Sequence, residues 1–153
     1  MTDKTSCYTY FIITGDFEPD DITRYLNLQP FEQWRIGDEK KNGRKFDFVA
    51  WKFGLCEEYD VFVETQMHST LKELMPRKEK LKRLKAEFDL SFSLEIVPSI
   101  YIDEVQPCIS PSKEVIDFCS ETETAIDIDY YVYDSRDEKW TYTLWKKQFT
   151  LTI

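Results

Sequence analysis

Leu90-Ser91-Phe92-Ser93-Leu94-Glu95-Ile96 alternates apolar and polar residues without a break. Successive side chains of a strand point to opposite faces, so a period of two reads as a strand with one face in a core and the other in water. The run continues to Ile102. Upstream, Cys7 to Thr14 (CYTYFIIT) is aromatic and β-branched and ends at Gly15-Asp16, a strand entering a turn. Phe46 to Leu55 (FDFVAWKFGL) places Phe46, Phe48, Ala50 and Lys52 on one side and Asp47, Val49, Trp51 and Phe53 on the other. Ala125 to Tyr133 supplies a fourth core strand, with Ile126, Ile128, Tyr130 and Val132 opposite Asp127, Asp129, Tyr131 and Tyr133.

Helical spacing fills the gaps. Pro19 suits the first helical position, and Ile22, Tyr25 and Leu26 follow one turn apart, which predicts a helix over Pro19 to Leu28 with Asp20 and Asp21 at its positive end. Val61 to Phe88 carries one apolar stripe through Val63, Met67, Leu71, Leu74, Leu81, Leu84 and Phe88, broken at Pro76, so two segments are expected with Pro76 opening the second. Ser110-Pro111 caps a further helix through Val115, Ile116, Phe118 and Cys119. Trp140 to Ile153 reads as two more strands that cover a sheet edge, within the monomer or in a homodimer. The expected fold is α+β: a mostly antiparallel sheet of four core strands plus a C-terminal strand pair, helices packed on one face, in a layout related to the ferredoxin-like one. Ile22, Tyr25 and Leu26 map onto Val115, Phe118 and Cys119 at an offset of 93 residues, a hint of repeated layout.

With 153 residues and 24 aromatics, the chain has bulk for one domain with a real core, and 42% hydrophobic beside 32% charged residues excludes disordered and low-complexity classes. Tyr8 to Ile13 is too short for a signal-peptide core, and no stretch reaches the roughly 20 apolar residues that cross a bilayer. A soluble, cytoplasmic protein is expected, without membrane association. Cys7, Cys56, Cys108 and Cys119 stand apart without zinc spacing and read as buried thiols in a reducing compartment.

Net charge is −9, with pI near 4.7, which disfavours nucleic acid as a partner. Arg77 to Lys85 holds six bases and one acid, a local +5 that leaves −14 for the rest. That helix reads either as a solvated face around Leu81 and Leu84 or as an element that binds nucleic acid or an acidic partner, and the surrounding negative field favours the solvated face. Glu114 to Glu138 holds nine acids and one base, and such a region steers a cationic protein. His68 is the only histidine, lies mid-helix and has no local triad partner, so a surface or boundary role is expected. No glycine-rich phosphate cradle exists, and no cofactor is implied.

The unusual loop is Gln29 to Lys45, where Trp34, Arg35 and Asp38 flank Gly37. Trp34 is either a plug closing the core or a contact residue, with Trp51 as its expected neighbour. Asp16, Trp34, Arg35, Asp38, Trp51, Asp127 and Asp129 are the candidate interaction residues. None is assigned a catalytic or metal role, although Asp16, Glu18, Asp20 and Asp21, or Asp127 with Asp129, could in principle hold a divalent cation.

The run Ile13 to Pro30 (ITGDFEPDDITRYLNLQP), then Trp34-Arg35-Ile36-Gly37-Asp38 and Trp51, resembles the bacterial domain of unknown function 4279. Ile109-Ser110-Pro111, Val115-Ile116-Phe118 and Asp127-Ile128-Asp129 are similar to its second half, so the likeness spans about 8–133 and leaves 134–153 as a C-terminal extension. The resemblance implies a small bacterial cytoplasmic domain without an established reaction, some relatives looking like immunity proteins of toxin systems. It brings no catalytic residues. The reading is therefore a non-enzymatic interaction protein, an acidic immunity-type inhibitor of a basic toxin domain. The alternative is a module that binds a small ligand or divalent cation near Asp16 and Trp34-Arg35-Asp38.

Overall fold

The computed structural model describes residues 4–135. The strand pair expected over Trp140 to Ile153 lies outside them. The chain runs β1 (Ser6–Gly15), α1 (Pro19–Leu26), β2 (Glu32–Trp34), β3 (Val49–Cys56), α2 (Glu64–Leu71), a 3₁₀ turn (Met75–Arg77), α3 (Lys78–Glu87), β4 (Leu90–Tyr101), α4 (Lys113–Glu121), β5 (Thr124–Ile128) and β6 (Tyr131–Tyr133). The sheet order is β2-β3-β1-β4-β5, with β6 also on β4. β1 is antiparallel to β3 and to β4, and β2 is antiparallel to β3. The first four strands thus form two interlocked split βαβ units, the ferredoxin-like arrangement. α4 then adds β5 and β6 parallel to β4, which makes the sheet mixed though mostly antiparallel. The helices lie on one face.

Hydrophobic periodicity explains most of this. Cys7, Phe11 and Ile13 of β1 and Leu94 and Ile96 of β4 bury against Met67, Leu71, Leu74 and Leu81 from the helical layer. α1 starts at Pro19 behind the Glu18 cap, and Asn27, at φ 52, ends it two residues before the expected Leu28 limit by turning left-handed. Pro76 does begin the segment after the break, inside the 3₁₀ turn that leads into α3. The stripe stops short of Phe88, which is half exposed beyond the end of α3. α4 is capped by Ser112, whose Oγ accepts from Val115 N–H at 3.3 Å, rather than by Ser110, and Ile116 turns outward.

Three strand expectations change. The short Glu-Gln-Trp strand β2 has too few residues to show alternation. β3 begins at Val49, not Phe46, because Phe46 hydrogen-bonds instead with Gly37 and Asp38 in a hairpin that orders the loop after β2. The strand expected over Ala125 to Tyr133 is interrupted. Ile96 C=O accepts from Asp129 N–H at 3.0 Å, so this edge of β4 takes its next donor two residues on, at Pro98, which has none, and the ladder resumes only at Ser99 and Tyr131.

α2 is sealed to the sheet by a buried polar seam. Gln66 Nε2 donates to Cys7 C=O at 2.8 Å and to Cys56 C=O at 3.2 Å, and Thr70 Oγ1 donates to Gly54 C=O at 2.7 Å. Thr9 Oγ1 lies 2.8 Å from Thr70 Oγ1. Phe11 pairs with Phe53 and Thr9 with Cys56, so two steps along β1 face three along β3, a bulge at Gly54-Leu55.

The thiols divide. Cys7 and Cys119 are buried, and burial pushes them up to about 11 and about 12 respectively. Cys56 is half-buried past the bulge, and Cys108 is exposed, correcting the expectation of four buried thiols: Cys108 lies in the loop before α4, joined by its backbone to Val61 and Val63. Among the described residues no helix is long and apolar enough to cross a membrane.

Candidate functional site

Two regions meet along β2 and β3. The first is the loop that the sequence singled out. Arg35 Nε donates to Glu18 Oε2 at 3.1 Å, and its Nη2 reaches both Glu18 Oε1 and, at 2.9 Å, Asp20 Oδ2. Asp38 Oδ2 accepts from Arg35 N–H at 2.7 Å. The bonds from Arg35 hold the Glu18 carboxyl below its usual range. Asp20 is lowered first by Gln33 and then by Arg35, while Glu18 raises the guanidinium. Arg35 thus fastens the loop to the α1 N-terminus and supplies the positive charge that a cation would otherwise provide. Asp16 is exposed after β1 and bonds to none of these groups. Among the described residues, no group of three or more His, Cys, Asp or Glu side chains could hold a metal.

Trp34 is 8% exposed, stacked on Phe46 at 4.2 Å and edge-on to Phe48 at 5.5 Å. It is a plug, but not beside Trp51. Trp34 pairs with Ala50, so Trp51 points to the opposite face, fully buried under α1 with Nε1 donating to Thr23 Oγ1 at 2.9 Å. Trp51 is therefore corrected from contact candidate to core residue. An open groove of about 600 Å³ runs between β2 and the hairpin, lined by Trp34, Asp38, Lys40, Lys41 and Phe46 among others. Trp34 Nε1 and Gln33 Oε1 beside it are buried and have no hydrogen-bond partner among the described residues.

The second region is the sheet face away from the helices, which sequence reading did not assemble. Tyr8 and Tyr10 stack at 6.1 Å, and Tyr10 meets Phe31 edge-on at 5.9 Å. Lys52 lies within this ladder, its Nζ 4.5 Å from the Tyr10 ring, 5.3 Å from Phe31 and 5.4 Å from Trp34, and 2.7 Å from Glu32 Oε2. Across β1, Tyr10 pairs with Glu95, and Glu95 pairs with Asp127. Asp129 accepts from Tyr131 OH at 3.1 Å. The parity of Tyr8, Tyr10, Lys52 and Glu95 in their strands was the one available signal.

Burial, and then the charges of Asp127 and Asp129, raise Glu95 above the usual carboxyl range despite an opposing bond from Ser93. A carboxyl raised on folding contributes most to stability in acid and loses that contribution as pH climbs through its folded pKa. Glu95→Gln is therefore expected to stabilise the fold at pH 7 by about 0.2–1 kcal/mol, the scale of a cross-strand pair. The gain should vanish below roughly pH 4. Thermal unfolding of both proteins across that range measures it, and a gain that persists in acid would exclude the charge as cause.

Several cations on and beside α3 are engaged. Lys78 pairs with Glu121 at 2.6 Å, Lys80 donates to Tyr25 C=O at 2.8 Å, Arg77 caps Leu26 C=O at 2.6 Å, and Lys85 lies over the Phe92 ring. This matches a solvated face of α3 held by its own neighbours. His68, half exposed, meets Glu114 at 3.1 Å between α2 and α4.

A ferredoxin-like α+β domain, with a sheet face of aromatic rings and carboxylates that no described helix covers, is thus defined. The sequence model of one family, Domain of unknown function (DUF4279), matches residues 5–133, and the chain belongs to that family. No curated protein and no solved structure matches the chain.

Proposed function

We propose that the protein is a non-enzymatic interaction domain that captures a basic protein partner, in its specific form an immunity-type inhibitor of a basic toxin domain in the bacterial cytoplasm. The observation that carries this reading is a cluster of carboxylates on one face. Glu95 pairs across the sheet with Asp127, Asp129 follows on the same edge, and none of the three has a cationic partner among the described residues. Surplus negative charge on one face steers a cationic partner and speeds its encounter. The full chain titrated with fluorescent deca-arginine should bind it saturably in 50 mM salt and about tenfold more weakly in 300 mM, since screening shortens the reach of surface charge. Absence of saturable binding at low salt sinks the reading.

A second reading rests on a different observation. The groove beside Trp34 has a volume suited to a small molecule, and the indole N–H has no acceptor among the described residues. A ligand with a carbonyl or carboxylate would supply one, and a thermal-shift rise lost in Trp34→Phe would identify it.

A further inference from the structure

Lys52 shows how the sheet face away from the helices treats a cation. Its ammonium lies among three rings, its charge is answered by Glu32, and its side chain is only 16% exposed. Tyr8 extends the same ladder by one ring, nearly parallel to Tyr10 at 14°, and is 40% exposed. Among the described residues Tyr8 has no cation over it. Strand register sets Glu95 diagonal to Tyr8, since Tyr8 pairs with Val97 and Tyr10 with Glu95, and it brings Asp129 to the β4 backbone beside Val97; burial first, then Asp129, raise the Tyr8 phenol. Tyr131, tied to Asp129, presents a second exposed ring near by. Tyr8, Leu55 and Glu57 share one trough of about 440 Å³ with Tyr10, Lys41 and Lys52. An aromatic plate with an apolar flank, and with the carboxylates of Glu95 and Asp129 on the adjoining strands, complements a long cationic side chain, which lays its stem on apolar surface while its head meets ring and carboxylate.

Resting on the interaction reading above, we propose that the sheet face beside Tyr8 is where the basic partner docks, receiving an arginine side chain that stacks on Tyr8 between Glu57, Glu95 and Asp129. Arginine suits the place better than lysine because its planar guanidinium stacks on a ring while still donating to carboxylates at its edge. Lys52 occupies the neighbouring position permanently, so the partner's cation takes the next place along the ladder. The carboxylates of this face that lack a cation among the described residues are the complement of a cationic segment and repel a polyanion.

The test uses the full chain and the deca-arginine probe. Tyr8→Ala should weaken binding about five- to tenfold, as expected for loss of one ring contact to a partly desolvated cation. Tyr8→Phe should keep the affinity, because the ring and not the phenol does the binding. Glu79→Gln, which removes one negative charge from the helical side, should change it by less than about twofold. Amide shifts on titration should centre on β1, β4 and β6. If Tyr8→Ala, folded by circular dichroism, binds as the parent does and salt sensitivity remains, the site is wrong while the interaction reading stands. If the parent fails to bind at all, the interaction reading has failed first. A dimer of the free chain that Tyr8→Ala dissolves would also overturn the proposal, since a second copy would then be the occupant.

Discussion

Gly54→Ala should lower stability by about 2–5 kcal/mol, a drop in Tm of about 10 °C, while Gly43→Ala should cost about 1 kcal/mol. Both glycines have positive φ, 72° and 77°, so both substitutions force an L side chain into the left-handed region. They differ in what a Cβ would meet. At Gly43 nothing lies within 4 Å. At Gly54 it would fall 2.5 Å from the Thr70 carbonyl oxygen, which belongs to α2 backbone and has no rotamer by which to yield. Relief requires α2 to move off the sheet. That in turn would stretch the Thr70–Gly54 bond and the two bonds from Gln66, leaving buried carbonyls of Cys7 and Gly54 without donors. Thermal unfolding of the two variants is the measurement. Equal losses would mean that the helix gives way freely and that the seam under α2 contributes little.

The contrast between those glycines marks what was legible in the sequence and what was not. Cys7 to Thr14 and Leu90 to Ile96 announced their strands because burial on one side imposes a period of two. Pro76 announced a break because it lacks a donor. Gly54, in contrast, sits inside an alternating run with nothing local to show that a helix from Glu64 onward would press its backbone there. The same holds for the sheet face away from the helices. Lys52 becomes caged only when β2, itself too short to see, brings Phe31 and Trp34 alongside β3. Glu95 and Asp127 are 32 positions apart in the chain and oppose each other only through a parallel pairing that α4 makes possible. Arg35 similarly finds Glu18 and Asp20 across a turn of chain. Of the expected residues, Arg35 and Asp38 act together in one clamp, whereas Asp127 and Asp129 belong to the distant acidic face and Asp16 to neither.

The two tryptophans that the sequence placed side by side should respond in opposite ways. Trp51→Ala is expected to cost about 3–5 kcal/mol, the range for removing a fully buried large aromatic. The ring is wholly enclosed, stacked on Phe53 at 5.5 Å, and its loss also strands the Thr23 hydroxyl that accepts its N–H. Trp34→Phe should change stability by less than about 1 kcal/mol. Phenylalanine keeps an aromatic partner for Phe46 and Phe48, and the only polar group removed is a buried N–H without an acceptor among the described residues, so part of the lost packing is offset by the end of an unsatisfied donor. Chemical denaturation followed by far-ultraviolet circular dichroism compares them without relying on indole fluorescence, which each substitution alters. A Trp34→Phe loss as large as that of Trp51→Ala would show that the Trp34 indole does hold an acceptor in solution, and would move the weight of evidence from the acidic sheet face to the groove beside β2.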